Sequence, residues 1–466
     1  MGQKAKPVAI SLFSGAGGLD IGVEDAGFEV RCSVELNRFA CETLRANKEL
    51  GKHLAPENFA AWFRSRSGND YPRWGDDQIK LVEQRVRAGV GAHTYLEHCE
   101  VLERDITTLR TSTVLEAARL KRGDLDLVFG GPPCQSFSRA GKRESVDDER
   151  GRLFLDFVRI VSEARPRWFL FENVKGLILT KTSVWSISCS CGIDEIPAFD
   201  PERTEPDASS HPPACRSCGS EKTRWRIDKD RRGGALDLIV SEFERIGYHC
   251  HPFVLDAADY GAPQHRERLF IVGSRDGEIP AIESGSLSGE GRARHRTLWD
   301  ALFQSKNPYH DWPLDPETAV LWVKNVVRPH DEPVTWDLRR PSPTIGAHQG
   351  AKLAIAPRGV PLEQLARQQW HVLGRRQGDT KPVKVDHSYL SDEDLLTLQT
   401  FPRHWFVAGT RMERVFQIGN AVPPVLAKVV ASALVDTKPT EHRQPSVSPL
   451  RLERGRRVAA QQGSLF

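Results

Sequence analysis

A cysteine behind two prolines is the residue in this sequence best suited to chemistry. Cys134 follows Pro132 and Pro133 and an apolar segment, 123–129, that is predicted to be a buried strand. The carboxyl ends of strands are where α/β sheets place their ligands. A thiol there becomes a nucleophile when its pKa is lowered or a proton acceptor lies nearby. The alternative is a packing cysteine, and spacing alone leaves both interpretations open.

A glycine-rich turn near the start of the chain is typical of a ligand-binding loop. The segment Phe13–Gly18 joins a predicted strand, 7–13, to a predicted helix, 19–26. It lacks both the G-x-G-x-x-G spacing and the lysine of a phosphate loop, so a ligand with a ribose but no phosphate would suit it. Glu35 ends a second predicted strand, 31–36, and could accept the ribose hydroxyls. The alternative for Glu35 is a solvated strand end.

Four cysteines in two close pairs could hold a metal ion. Cys189 and Cys191 form the first pair, Cys215 and Cys218 form the second, and a glycine follows each pair. Tetrahedral zinc prefers soft ligands on tight turns, so the spacing predicts a structural zinc site. The Cys-x-Cys pair is less usual, and His211 is a substitute ligand in this hypothesis. The alternative is four unrelated cysteines in a disordered insert.

The order of predicted elements indicates an α/β protein. Apolar strands alternate with helices, which favours a mostly parallel sheet covered on both faces. The chain has 466 residues, a net charge of +3 and a mean hydropathy of −0.45, so the composition predicts no membrane span. Nine cysteines are too sparse for a disulfide scaffold, and no signal peptide is evident. We therefore expect a cytoplasmic location.

Six segments, taken together and in order, resemble the motifs of the cytosine-5 DNA methyltransferases. They are Phe13–Gly18, Gly131–Gln135, Glu172–Val174, Gln264–Arg268, Arg340–Ile345 and Gln417–Pro424. The resemblance implies a Rossmann-like class I methyltransferase sheet with a smaller target-recognition domain. The predicted zinc-ribbon-like segment departs from the compact bacterial pattern of that family.

The resemblance also implies the roles of four catalytic residues. Cys134 would add to C6 of a flipped-out cytosine, which makes C5 nucleophilic. Glu172 would stabilise that adduct at the ring N3, close to neutral or sharing a proton with it. Arg266 and Arg268 match arginines that contact the target base and the catalytic loop. The guanidinium group suits this role because it stays charged and presents its N–H donors in a fixed planar geometry.

S-adenosyl-L-methionine is the cofactor that the resemblance implies. The matching positions are Phe13, Gly15, Gly17, Gly18, Glu35, Pro132, Asn420 and Val422. Asp105 and Ile106 resemble an adenine-contacting pair, although an insertion at 47–100 lengthens the spacing before them. The alternative for Asp105 is an ordinary residue at a strand end.

We expect the chain to be organised around one catalytic domain, to which an insert, a target-recognition region and a tail are added. The predicted parts are 1–182 and 229–274 for the catalytic domain, 183–228 for the zinc-ribbon-like insert, 275–390 for target recognition, 391–437 for a return to the catalytic domain, and 438–466 for a disordered basic tail.

Double-stranded DNA is the partner that this resemblance implies, in restriction–modification or phage defence beside a cognate nuclease or defence-system proteins. No membrane partner is expected. The final residues, Gln462–Phe466, are similar to a peptide that binds the bacterial sliding clamp, or match it by chance. A tRNA substrate is a second hypothesis, although Cys134 followed by Gln135 fits the DNA branch of the family. A catalytically silent DNA-binding scaffold is a third.

Overall fold

The computed structural model describes much of the chain, with gaps. The described residues are 6–52, 94–133, 153–192, 194–196, 211–215, 217–277, 279–280, 282, 294–302, 317, 319–327, 333–347, 353–357, 372–374, 383–385, 390–402 and 404–435. Several predicted features lie outside them: Cys134 and Gln135, most of the insertion at 47–100, the tail 438–466 and the Gln462–Phe466 peptide.

A seven-stranded sheet forms the centre of the molecule. Its strands are β1 (Val8–Leu12), β2 (Glu29–Glu35), β3 (Glu100–Glu103), β4 (Leu127–Gly130), β5 (Trp168–Val174), β9 (His249–Asp256) and β10 (Glu267–Ser274), in the order β3-β2-β1-β4-β5-β10-β9. The first five run parallel, and β10 is antiparallel to both β5 and β9. We call the edge at which β1, β2, β4 and β5 end the carboxyl edge; β10 begins there.

Helices cover both faces of the sheet because its strands are apolar on both faces. In β4, Leu127 and Phe129 face one core and Val128 faces the other. The first core is shared with α1 (Gly18–Asp25), α2 (Arg38–Lys52), α6 (Leu298–Leu302), α7 (Asp392–Leu398), α8 (Arg411–Asn420) and α9 (Pro424–Val435). The second is shared with α3 (Thr111–Ala118), α4 (Leu153–Ala164) and α5 (Gly234–Arg245). This is the α/β architecture that the sequence predicts.

The cysteine-rich region contains a long hairpin rather than an irregular segment. β6 (Lys181–Cys189) pairs antiparallel with β8 (Thr223–Arg232), and the short β7 (Asp194–Glu195) pairs with the other edge of β6. The strands begin before residue 183 and end beyond residue 228. Arg224, Trp225, Arg226 and Ile227 of β8 alternate between charged and apolar, which is the signal of a half-buried strand that the sequence prediction overlooked.

Small sheets occupy the region predicted to recognise the target. β11 (Ala319–Val327) pairs with β12 (Pro333–Asp337) and β13 (Leu353–Pro357), and β14 (Val372–Gly374) pairs with β15 (Val383–Val385). The predicted domain boundaries of 275 and 390 remain predictions.

One helical stretch, Arg411–Val435, has the length and hydropathy of a membrane span, with a mean hydropathy of 1.6. It comprises α8 and α9, and 61% of its most apolar window is buried inside the protein. Packing against α1 explains its apolar composition: a Cβ at Gly22 of α1 would lie 2.4 Å from the Pro424 carbonyl oxygen of α9. The described residues therefore use this segment as a core element.

Candidate active site

The glycine-rich turn follows β1 and leads directly into α1. Phe13 has a φ of 55°, Gly15 of 54° and Gly17 of 84°, all in the left-handed region. The Gly17 amide donates to the Ser14 carbonyl oxygen at 3.0 Å, which closes the turn. A Cβ at Gly15 would meet nothing within 4 Å, so there is open space beside the turn. The chain thus exposes its backbone at the carboxyl edge.

The Glu35 carboxylate at the end of β2 lies against this turn. One oxygen accepts from the Gly15 amide at 2.8 Å, and the other accepts from the Leu36 and Asn37 amides at 2.9 and 2.8 Å. Three backbone donors therefore fix the carboxylate, and a fourth lone-pair position stays available for a ligand hydroxyl. The structure brings together the two features that sequence analysis proposed as the cofactor site.

The C-terminal part of the chain encloses the turn from the other side. A Cβ at Gly18 would lie 2.2 Å from the Val422 carbonyl oxygen, and one at Gly17 would lie 2.9 Å from the ring of Trp405. Trp405 also donates its indole N–H to the Ala16 carbonyl oxygen at 3.0 Å. Both glycines are therefore required by packing. Val422 is buried here, and Asn420, two residues earlier, is exposed.

Asp105 and Ile106 lie close to Glu35 in space. The preceding residue, Arg104, donates its amide to the Glu35 carbonyl oxygen at 3.0 Å. Asp105 is exposed and accepts from the Thr107 amide at 2.9 Å, whereas Ile106 is buried. The segment after β3 thus borders the same opening despite the insertion before it.

Sequence reasoning missed Leu36, which follows Glu35 directly. Its side chain is 64% exposed, so an apolar group follows the fixed carboxylate at the surface. The signal in the sequence is an apolar residue placed immediately after a strand-terminal acid.

Glu172 lies at the carboxyl edge, on β5, next to the loop that precedes Cys134. It is 9% exposed, and a Cβ at Gly131 would lie 2.5 Å from its Oε2 atom. The neighbouring Asn173 side chain donates to the Pro132 carbonyl oxygen at 3.2 Å. Gly131 and Pro132 therefore hold the start of the Cys134 loop against β5, with Glu172 directly beside it.

The Glu172 carboxyl is balanced between burial and two cations. Arg268 on β10 places its Nε 3.1 Å from Oε1 of Glu172. Burial raises the pKa of Glu172 above its usual range, while Arg268 and then Arg266 act to lower it. The net direction is upward, so this acid can hold its proton nearer to neutral pH than an exposed glutamate.

Arg266 joins two distant segments beneath the site. It is 1% exposed, and its guanidinium donates to the Ile345 carbonyl oxygen at 3.1 Å and to the Gly419 carbonyl oxygen at 2.8 Å. Gln264 supports the same arrangement, because its Oε1 accepts from the Ile345 amide at 2.8 Å. In the described residues Arg266 bonds to backbone, and Arg268 is the arginine in contact with Glu172.

The four cysteines converge at the tip of the β6–β8 hairpin. Cys189 and Cys218 have sulfurs 3.6 Å apart, Cys191 and Cys215 have sulfurs 3.7 Å apart, and all four lie within 4.8 Å of one another. Zinc–sulfur bonds of about 2.3 Å at tetrahedral angles place sulfurs about 3.8 Å apart. His211, the substitute ligand considered from the sequence, is not in this group of four. The cluster has the dimensions of a tetrahedral thiolate site.

A parallel-sheet core with a glycine-rich turn after its first strand and a fixed carboxylate after its second defines the class of α/β enzymes that bind nucleoside cofactors. Within that class the chain belongs to the C-5 cytosine-specific DNA methylase family, whose family model matches residues 8–57, 92–188 and 226–436. It is a methyltransferase of the DNA cytosine-5 type.

Known proteins similar to the chain agree with this membership. The type II methyltransferase M.AquIA of Picosynechococcus sp. is 35% identical over 302 residues, 62% of this chain and 81% of that protein. The type II methyltransferase M1.HphI of Haemophilus parahaemolyticus is 27% identical over 452 residues, 93% of this chain and 87% of that protein. The structure of the Entamoeba histolytica methyltransferase EhMeth matches in fold, with a TM-score of 0.50, 11% identity and coverage of 93% and 99%.

Proposed function

We propose that this chain transfers a methyl group from S-adenosyl-L-methionine to C5 of cytosine in double-stranded DNA. The observation that carries the proposal is the buried Glu172, held between Arg268 and the Gly131–Pro132 start of the Cys134 loop. A buried acid beside a thiol-bearing loop can supply a proton to a base ring at the moment the thiolate adds to it.

Each residue at the carboxyl edge has a part in the proposed reaction. The Cys134 thiolate adds to C6, and Glu172 gives its proton to N3, so the ring electrons move to C5. Once C5 carries the new methyl group, a base removes the C5 proton and its electrons form the C5–C6 double bond again. The Cys134 thiolate then leaves, and N3 returns its proton to Glu172. Arg268 stabilises the Glu172 carboxylate while the proton is on the ring. Arg266 acts through the backbone that it holds.

The cofactor site fits S-adenosyl-L-methionine, which supplies the methyl group when bound. Glu35 would accept a ribose hydroxyl, and Leu36 would pack against the adenine. The turn formed by Phe13, Gly15 and Gly17 supplies backbone contacts without side-chain interference. The turn lacks the lysine of a phosphate-binding loop, and a carboxylate lies beside it. Both features suit a cofactor that has no phosphate group.

We propose a cytoplasmic role in restriction–modification or phage defence, with a cognate nuclease as partner. Relatives named as type II methyltransferases support this role. The clamp-binding role of Gln462–Phe466 stays a prediction, and a pull-down with sliding clamp, with and without Leu465 and Phe466, would test it.

The test is conversion sequencing of DNA from a methylation-free host that expresses the chain. We expect cytosines protected in one sequence context, and no protection with a Cys134→Ala variant made in equal soluble amount. Protection by both proteins would overturn the covalent mechanism. Unprotected DNA from soluble wild-type protein would overturn the DNA substrate, and tRNA would then be the substrate to examine.

We also propose that Cys189, Cys191, Cys215 and Cys218 bind one structural zinc ion. The sulfur separations are close to those of a tetrahedral thiolate site and too long for disulfide bonds of about 2.05 Å. Two tight turns support the cluster, because the Gly192 amide donates to the Cys189 carbonyl oxygen at 3.0 Å and the Gly219 amide to that of Cys215 at 2.8 Å.

Metal analysis of the purified chain should find about one zinc ion per molecule. We expect Cys218→Ser to lose the metal and to become cleavable by protease within 183–228, because the hairpin tip loses its closure. Cys250→Ser, on β9 and away from the cluster, is the matched control and should keep both zinc and protease resistance. A zinc-free wild-type protein with an equally resistant hairpin would contradict the proposal.

A further inference from the structure

One strand of the cysteine-bearing hairpin carries an exposed series of cations. The exposed basic residues on or next to β8 are Lys222, Arg224, Arg226, Lys229 and Arg232. The two arginines nearest the tip are separated by one residue, so Arg224 and Arg226 lie on the same face of the strand.

The partner strand places small residues in register with these two arginines. Arg224 pairs with Ser188 and Arg226 with Ser186 in the hairpin. The opposite face carries Trp185 and Trp225, whose rings contact edge-to-face with centroids 6.5 Å apart. We call the Arg224 side of the hairpin the basic face. β7 pairs with the other edge of β6, and its Asp194 is in register with Ser188, one strand away from Arg224.

The hairpin is anchored close to Glu172. Only a short 3-10 turn, Lys175–Leu179, separates the end of β5 from the first residue of β6. The returning strand is held at the same point, because the Gly233 amide donates to the Thr180 carbonyl oxygen at 3.0 Å. A strand as long as β8 extends roughly 30 Å from that base. The hairpin is therefore an arm that starts at the carboxyl edge.

We propose that the basic face binds the sugar-phosphate backbone of the duplex on one side of the target base. The proposal rests on the proposed function, in that the duplex must lie over the carboxyl edge for its cytosine to reach Glu172. Guanidinium groups bind phosphate through bidentate hydrogen bonds of fixed geometry. Such contacts position a protein on DNA without recognising its sequence. The arm adds affinity, and the recognised sequence is left to other residues.

The experiment compares DNA binding by the full-length wild type and an Arg224→Ala/Arg226→Ala variant over a range of salt concentrations. A fluorescent duplex of random sequence is the probe, because backbone contacts do not depend on sequence. We expect weaker binding and a salt slope of log K smaller by about two, one for each phosphate contact removed. An Arg224→Lys/Arg226→Lys variant should keep most of the slope, because it keeps the charge.

Lys121→Ala/Arg122→Ala is the matched control, since these exposed cations precede the opposite end of β4. It should leave the slope unchanged. An unaltered slope and affinity in the Arg224→Ala/Arg226→Ala variant, with zinc content and melting temperature equal to wild type, would overturn the proposed arm. Methylation of DNA by the wild-type protein separates the two hypotheses. If the wild type methylates DNA and the Arg224→Ala/Arg226→Ala variant has an unaltered salt slope, only the proposed arm is refuted. If the wild type does not methylate DNA, the proposed function is refuted.

Discussion

Glu172→Gln should slow methyl transfer by about a hundredfold to ten-thousandfold, the range that a positioned acid contributes. The amide fills the same space between Gly131 and Arg268, so the fold should persist. The amide cannot give a proton to the cytosine ring, so the substitution lowers the rate of the chemical step. Binding of S-adenosyl-L-methionine should be unchanged, because Glu35 and the glycine-rich turn do not involve Glu172.

The pH profile gives this prediction its second readout. Burial raises the pKa of Glu172, so the protonated, active form is present at low pH and is lost as pH rises through that raised pKa. The wild-type single-turnover rate should therefore fall as the pH rises through the pKa of Glu172. The rate of the Glu172→Gln variant should not show this fall. Glu163→Gln, an exposed glutamate on α4, is the control and should keep the wild-type rate. A Glu172→Gln rate within a few-fold of wild type would remove the acid from the mechanism.

Arg266→Ala should destabilise the protein by about 3 kcal/mol or more. The substitution leaves the carbonyl oxygens of Ile345 and Gly419 buried without their donor, and each such group costs about 1–3 kcal/mol. Denaturant unfolding measures the loss. Arg266→Lys should fall between the wild type and the alanine variant, because one ammonium group cannot span both carbonyls.

Arg339→Ala is the matched comparison for Arg266. Arg339 is exposed and pairs with Asp337 at 2.8 Å, an ion pair of the kind that contributes little, about 1 kcal/mol or less.

Methylation should also fall in Arg266→Ala, because Gly419 and Ile345 separate beneath Glu172. A loss below about 1 kcal/mol with full activity would show that the guanidinium does not hold these segments.

The sequence predicts that the candidate site residues lie at one edge of the sheet because their motifs fall at strand ends. The apolar segments around β1, β4 and β5 each end in a motif, and parallel strands bring those ends to one edge. The reversal of β10 was not predictable, since an apolar strand gives no direction. It is this reversal that places Arg268 opposite Val174 and within reach of Glu172.

Long-range packing accounts for the rest of what the sequence did not reveal. Gly17 and Gly18 were interpreted as cofactor-binding residues, yet their lack of side chains is required by Trp405 and Val422, nearly the whole chain away. Arg266 was assigned from its motif to base and loop contacts, while its visible partners are backbone oxygens from two later segments. Such contacts have no local pattern.

The enclosure of the glycine-rich turn by the last described helices has a consequence for synthesis of the chain. A ribosome makes the turn first and Trp405 and Val422 much later, so a growing chain cannot enclose the turn until both residues have been made. Contacts of such sequence separation also form slowly. A chain released before residue 405 therefore lacks both contacts that enclose the turn.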